Sequence, residues 1–192
     1  MRRLTRSIVA LMSVVLMSTG FSAAATAAPV DEAKAPVWTV VTRDTVEKAG
    51  LTKLASSYSL VFAHSGKCLD IIGNSTADGA RAGQWTCNGM SNQQWTFDWL
   101  SNVDLRLRVG HTDKCLDLIG FSSANGARFG QWRCNGEANQ MFKWEQSQYG
   151  DYRLVVLHSA KCVDIINFAT ANGATAGQWT CNGAENQWIL LG

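Results

Sequence analysis

Residues 68–89 read CLDIIGNSTADGARAGQWTCNG. The same sentence returns as CLDLIGFSSANGARFGQWRCNG at 115–136 and as CVDIINFATANGATAGQWTCNG at 162–183. Each copy opens on a cysteine, places an aspartate two positions later, and closes on a tryptophan, a second cysteine and Asn-Gly. Cys68, Cys115 and Cys162 are spaced by 47 residues, as are Asp70, Asp117 and Asp164, and Trp85, Trp132 and Trp179. No insertion breaks the step. A period of this size means one supersecondary unit repeated, each copy too small to bury its own apolar face.

The cysteines follow the repeat. Each unit holds one early and one late cysteine, 19 positions apart. Three equivalent units are most simply satisfied by Cys68–Cys87, Cys115–Cys134 and Cys162–Cys181, each closing a loop that contributes about 3 kcal/mol in the chain-entropy model. A zinc site is the alternative use of six cysteines, and it lacks any CxxC pair.

Within a unit the signals are those of strands. YSLVFA (58–63), LRLRVG (105–110) and YRLVVL (152–157) alternate or run apolar. KCLDII, GQWTC and QWTFDW supply further short runs, punctuated by HSGK, STADGA and CNGMSN. Short strands between Gly, Asn and Ser turns predict an all-β barrel or sandwich.

Each unit reads C-[LV]-D, N/D-G-A, Q-W-x-C-N-G and N-Q-x-[WFI], ending on Asn92–Trp95, Asn139–Phe142 or Asn186–Ile189. This closely resembles the ricin B-type (R-type) lectin domains, built from three QxW repeats. The resemblance implies a β-trefoil of twelve short strands, six in a barrel and six in hairpins that cap one end. On this reading residues 58–192 are the trefoil, with repeats at about 58–104, 105–151 and 152–192. The third repeat departs from the pattern: Ile189 stands in its QxW slot, one position after Trp188.

Residues 1–27 read as a signal peptide. Arg2, Arg3 and Arg6 precede an apolar run to about Phe21, then Ala25-Thr26-Ala27 gives a small-residue cleavage pattern. The Arg2-Arg3 pair is a hint of twin-arginine export set against an ordinary charged head. The apolar run is too short and too interrupted to span a membrane. Removing its three arginines from the 17 basic residues leaves 14 against 15 acids, which is not the basic surface of a nucleic-acid binder. An exported chain is also the setting in which paired cysteines belong. Residues 28–57 form an N-terminal extension or linker, with a short strand expected at Val37–Val41 and a helical turn or two over Asp44–Leu54. Asp44 and Glu47 are spaced as a capping box.

The repeated polar residues suit a saccharide. A carboxylate accepts hydrogen bonds from adjacent hydroxyls, amides both donate and accept, and an indole face covers the C–H patch of a sugar ring. The resemblance places carbohydrate-binding residues at Asp70, Trp85, Asn92 and Gln93 in the first repeat. It places Asp117, Trp132, Asn139 and Gln140 in the second, and Asp164, Trp179, Asn186 and Gln187 in the third. The glutamines serve equally well as structural groups. The family often has a Gln where Gly83, Gly130 and Gly177 stand here, so either Gln84, Gln131 and Gln178 take its role or that hydrogen bond is missing. His64, His111 and His158 also keep the 47-residue step and are expected in turns rather than around a metal. No cofactor is expected. Aspartates placed one per repeat are too far apart for a glycosidase pair, and no nucleophile or metalloprotease motif appears. The expectation is a secreted, extracellular, non-enzymatic lectin-like protein that binds sugars or polysaccharide non-covalently at up to three repeat-related sites. Its expected partner is an oligosaccharide, polysaccharide or glycoconjugate, with a secreted glycosidase or another chain as a further partner. The alternative is a β-trefoil used for protein contact, such as a hydrolase inhibitor, which would specialise a loop in one repeat only.

Overall fold

The computed structural model describes residues 36–48 and 57–192. The expected signal peptide and residues 28–35 and 49–56 of the extension lie outside them. The chain runs β1 (Trp38–Val40), α1 (Arg43–Lys48), β2 (Leu60–Phe62), β3 (Lys67–Ile71), β4 (Ala82–Trp85), β5 (Trp95–Trp99) and β6 (Asp104–Val109). It continues through β7 (Cys115–Leu118), β8 (Phe129–Trp132), β9 (Phe142–Ser147), β10 (Tyr152–Val156), β11 (Cys162–Ile165), β12 (Ala176–Trp179) and β13 (Ile189–Leu191).

Strands β2 to β13 are the twelve of a β-trefoil. β2, β13, β10, β9, β6 and β5 pair in that order. A bridge between Tyr58 and Trp95, with 2.9 Å bonds in both directions, brings β5 beside the entry to β2. The other six form three hairpins, β3–β4, β7–β8 and β11–β12, in the same register in each repeat: Asp70 faces Gly83, Asp117 faces Gly130 and Asp164 faces Gly177. Ser59 and Gly192 exchange backbone hydrogen bonds of 3.1 and 3.0 Å where β2 and β13 meet.

Alternation along the hairpin strands sorts side chains onto two faces. Leu69 and Ile71 turn inward with their repeats Leu116, Leu118, Val163 and Ile165, and join Leu60, Leu107 and Leu154 in one fully buried core. Trp95, Phe142 and Ile189 occupy equivalent buried positions. The smaller Ile189 sits in a paired strand, opposite Phe62. Its neighbour Trp188 meets Trp38 of the extension edge-on at 6.3 Å.

The second strand of each hairpin lies against the loop of the repeat before it, and glycine permits the approach. A Cβ on Gly83 would stand 2.5 Å from the Ala174 carbonyl oxygen of the third repeat, and one on Gly130 or Gly177 would stand 2.6 or 2.8 Å from that of Ala80 or Ala127. Those same carbonyls accept the amides of Gln84, Gln131 and Gln178 at 2.8–2.9 Å, so each repeat is bonded to the one before it. The disulfides pair as the repeat predicts, Cys68–Cys87, Cys115–Cys134 and Cys162–Cys181, with Cα atoms 5.0–5.1 Å apart. Each clamps the base of its hairpin.

The extension lies against the trefoil. β1 adds antiparallel to β9, Trp38 opposite Ser147, and the Arg153 guanidinium sits 4.4 Å over the Trp38 ring. The helix is capped two residues earlier than the sequence suggests. Thr42 Oγ1 accepts from the Thr45 amide at 3.1 Å, whereas the Asp44 amide is bound by Asn102 Oδ1 at 3.1 Å. The tertiary contact with Asn102 takes the amide that a free helix would leave for its own cap.

Candidate functional site

Asp70, Asp117 and Asp164 lie on the outer face of their hairpins, yet each is buried. The cause is the short turn that follows, which carries Asn92-Gln93, Asn139-Gln140 or Asn186-Gln187 under the strand. Gln93 Nε2 donates to Asp70 Oδ2 at 2.8 Å and to the Thr86 carbonyl at 3.1 Å, while its Oε1 accepts the Asn88 amide at 2.9 Å. The second repeat matches, with Gln140 to Asp117 at 2.7 Å, and so does the third, with Gln187 to Asp164 at 2.9 Å. All three glutamines are buried behind the carboxylates they hold.

The asparagines sit closer to the mouth. Asn92, Asn139 and Asn186 donate Nδ2 to the carbonyls of Ile71, Leu118 and Ile165 at 3.0–3.2 Å. Their Oδ1 atoms are buried and have no hydrogen-bond partner. A buried acceptor left unmatched costs about 1–3 kcal/mol unless something else supplies the donor. Burial pushes the Asp70 and Asp117 carboxyls above their usual value and takes Asp164 up to about 6, with the Gln and Asn amides partly offsetting the rise.

The tryptophans remain half exposed, 41% for Trp85, 39% for Trp132 and 38% for Trp179. Each ring rests on a glycine turn of the preceding repeat. A Cβ on Gly79 would lie 3.4 Å from the Trp132 ring, one on Gly173 3.7 Å from Trp85 and one on Gly126 3.9 Å from Trp179. These turns also have φ of 78–83°, which a residue with a side chain rarely adopts. Asp117, Trp132 and Asn139 line one concavity of about 450 Å³, and Asp164, Trp179 and Asn186 line another of about 170 Å³.

Gln84, Gln131 and Gln178 do not take the place of the missing glutamine. They lie on the opposite, inward face and are fully buried. Gln84 donates to the carbonyls of Ala169 and Ala171 at 2.7 and 3.2 Å and accepts from Ser65 Oγ at 2.7 Å. The space beside Asp70 that a side chain on residue 83 would enter is held by Ile72, 3.1 Å from such a Cβ, and by Ile119 and Ile166 in the other repeats.

The histidines reach across repeats to different loops. His64 Nε2 lies 3.1 Å from the Ala169 carbonyl oxygen and His111 Nε2 2.9 Å from that of Ser75. His158 meets the Phe121 ring edge-on at 4.4 Å. Among the described residues no group of three or more His, Cys, Asp or Glu side chains is placed to hold a metal ion.

Sequence reasoning missed Phe121 and Phe168, which line the same two concavities. They are 44% and 50% exposed and hold φ of 56° and 55°. For a bulky residue that backbone costs about 1–2 kcal/mol. Asn135 and Asn182 line the mouths too. The signal available was an aromatic after a turn residue at the repeat position where the first unit has Asn74.

Twelve strands in three like units, each pairing a buried acid and asparagine with a half-exposed indole, and two of them lining shallow concavities with these groups, define a β-trefoil of the lectin kind. The chain belongs to the ricin-type β-trefoil lectin domain-like family, whose model matches residues 34–132 and 138–191. It is similar to the crystal structure of ThreeFoil, a designed threefold-symmetric protein, at 37% identity over 70% of this chain and 96% of that one, with a TM-score of 0.69. It is also similar to an exo-β-1,3-galactanase from Clostridium thermocellum, at 30% identity over 71% of this chain but 30% of the enzyme, with a TM-score of 0.69. The C-terminal half of an earthworm R-type lectin, solved with GalNAc, shares the fold at 20% identity over 71% of this chain and 97% of that one, with a TM-score of 0.57. No curated protein sequence matches the chain. Among the described residues no helix is long and apolar enough to cross a membrane.

Proposed function

We propose that this chain is a secreted, non-enzymatic carbohydrate-binding protein with three repeat-related sites. One observation carries the reading. In every repeat a carboxylate held from behind by a buried glutamine stands with a half-exposed indole and an asparagine whose buried Oδ1 lacks a donor. Sugar hydroxyls supply donors for both the carboxylate and the amide oxygen, and the indole takes the apolar face of the ring. On this reading Asp70, Asp117 and Asp164 with Trp85, Trp132, Trp179, Asn92, Asn139 and Asn186 touch the ligand. Gln93, Gln140 and Gln187 act by positioning the aspartates. The candidate aspartates each stand in a separate repeat, which supports binding without hydrolysis.

Shallow sites bind weakly alone, and three on one body gain by avidity on polymers that reach more than one of them. Likeness to a segment amounting to 30% of a galactanase supports a role in holding an enzyme on polysaccharide, and makes galactose-type sugars the first probes. Three paired-cysteine hairpins and the leader-like start support export.

The test is binding to galactose-bearing resin and a glycan panel by Asp70→Ala, Asp117→Ala and Asp164→Ala, singly and together. Binding falls stepwise and vanishes in the folded triple variant. A folded triple variant that binds like the unaltered chain sinks the assignment.

A further inference from the structure

We propose that Phe121 and Phe168 form a second aromatic wall in the concavities of the second and third repeats. The wall makes those two sites recognise an apolar C–H surface on the ligand beyond the ring held at the aspartate. The first repeat has Asn74 at that position and lacks the wall, so the three sites are not equivalent. The inference rests on the carbohydrate reading above and deepens it.

Both phenylalanines are large, apolar and about half exposed, so burial does not explain them. Both occupy left-handed backbone, φ 56° and 55°, where Asn74 at φ 51° is at ease. A strained residue that gains nothing from the core points to use at the surface. Phe121 shares a concavity with Asp117 and Trp132, and Phe168 shares one with Asp164 and Trp179. Each ring has a histidine against it. His158 packs edge-on against Phe121 at 4.4 Å, and His64 against Phe168 at 5.0 Å, each from the repeat that follows around the ring. A ring fixed before the ligand arrives loses little freedom on binding. Phenylalanine has no hydrogen-bonding group, so it rewards C–H surface alone, whereas Asn74 rewards hydroxyls. A sugar ligand offers such surface in two forms, the face of a neighbouring ring or the methyl of an N-acetyl group.

The test uses the full chain with one site left. Asp70→Ala with Asp164→Ala leaves the second site, and Asp117→Ala with Asp164→Ala leaves the first. Each is titrated by calorimetry with galactose, N-acetylgalactosamine and lactose. The second site prefers lactose or N-acetylgalactosamine over galactose by roughly 3- to 10-fold, the scale of one aromatic contact. A gain with lactose alone identifies the neighbouring ring, and one with N-acetylgalactosamine alone identifies the methyl. Phe121→Asn removes the preference and keeps galactose affinity within about twofold, while Asn74→Phe confers the preference on the first site. Phe121→Asn also melts no lower than its parent, because asparagine tolerates the backbone. Sites that bind galactose with a preference untouched by Phe121→Asn overturn this inference and leave the carbohydrate reading standing. Folded single-site chains that bind none of the three sugars overturn both.

Discussion

Acidification should weaken the third site while leaving the fold intact. Burial takes the Asp164 carboxyl to about 6, against 3.8 for the free group. If ligand hydroxyls donate to the ionised carboxylate, affinity follows the charged fraction. That fraction is nearly complete at pH 7.5 and falls to about one in ten at pH 5, so Kd rises about 10-fold over that interval. Stability moves the other way. A carboxyl whose folded pKa is raised contributes stability that is fully present below the unfolded value and lost as pH rises through the folded one. From pH 7.5 to 5 this group therefore stabilises the free chain, by on the order of 1 kcal/mol. The assay is calorimetric titration of the Asp70→Ala/Asp117→Ala chain with galactose at several pH values, alongside its melting temperature. Gln187→Leu removes the amide that holds Asp164 down, and should move the binding midpoint to higher pH. A flat Kd from pH 7.5 to 5 refutes the reasoning, as does a melting temperature that falls in step with affinity.

Two further outcomes concern the frame. Gly130→Ala would push a Cβ to 2.6 Å from the Ala80 carbonyl oxygen, a fixed backbone atom, and should cost about 1–3 kcal/mol in denaturant unfolding. Trp38→Ala removes the partner of Arg153 and Trp188, and should lower stability by about 1–2 kcal/mol without changing sugar affinity.

The period made most of the frame legible. Equal spacing of cysteines gave the pairing, and Leu60, Leu107 and Leu154 gave the core, because a threefold fold writes its interior three times. The same spacing put the aspartate, tryptophan and asparagine of each repeat forward as one candidate set. Gln93 stood there as either ligand contact or support, since the two look alike in sequence, and its burial behind Asp70 favours support. Phe121 and Phe168 escaped because they break the repeat, and reading by repetition discards what differs between copies. The helix cap moved to Thr42 because Asn102, 58 residues from Asp44, claims the amide that local rules assign to a cap. Ile189 departs from the QxW pattern, yet it is fully buried and its strand pairs with β2, while the neighbouring Trp188 meets Trp38 of the extension.

Where β2 and β13 join, Ser59 and Gly192 are already bonded both ways. Residues 59–192 taken without the extension, joined by a short peptide bridge there and opened near residue 104 or 151, would yield a circularly permuted trefoil that keeps the ladder of β2 to β13 and gives up β1. Cargo fused to any such opening would leave the ring at a different third of its circumference, which makes the order of the repeats along the gene a free choice for anyone mounting the domain on another protein.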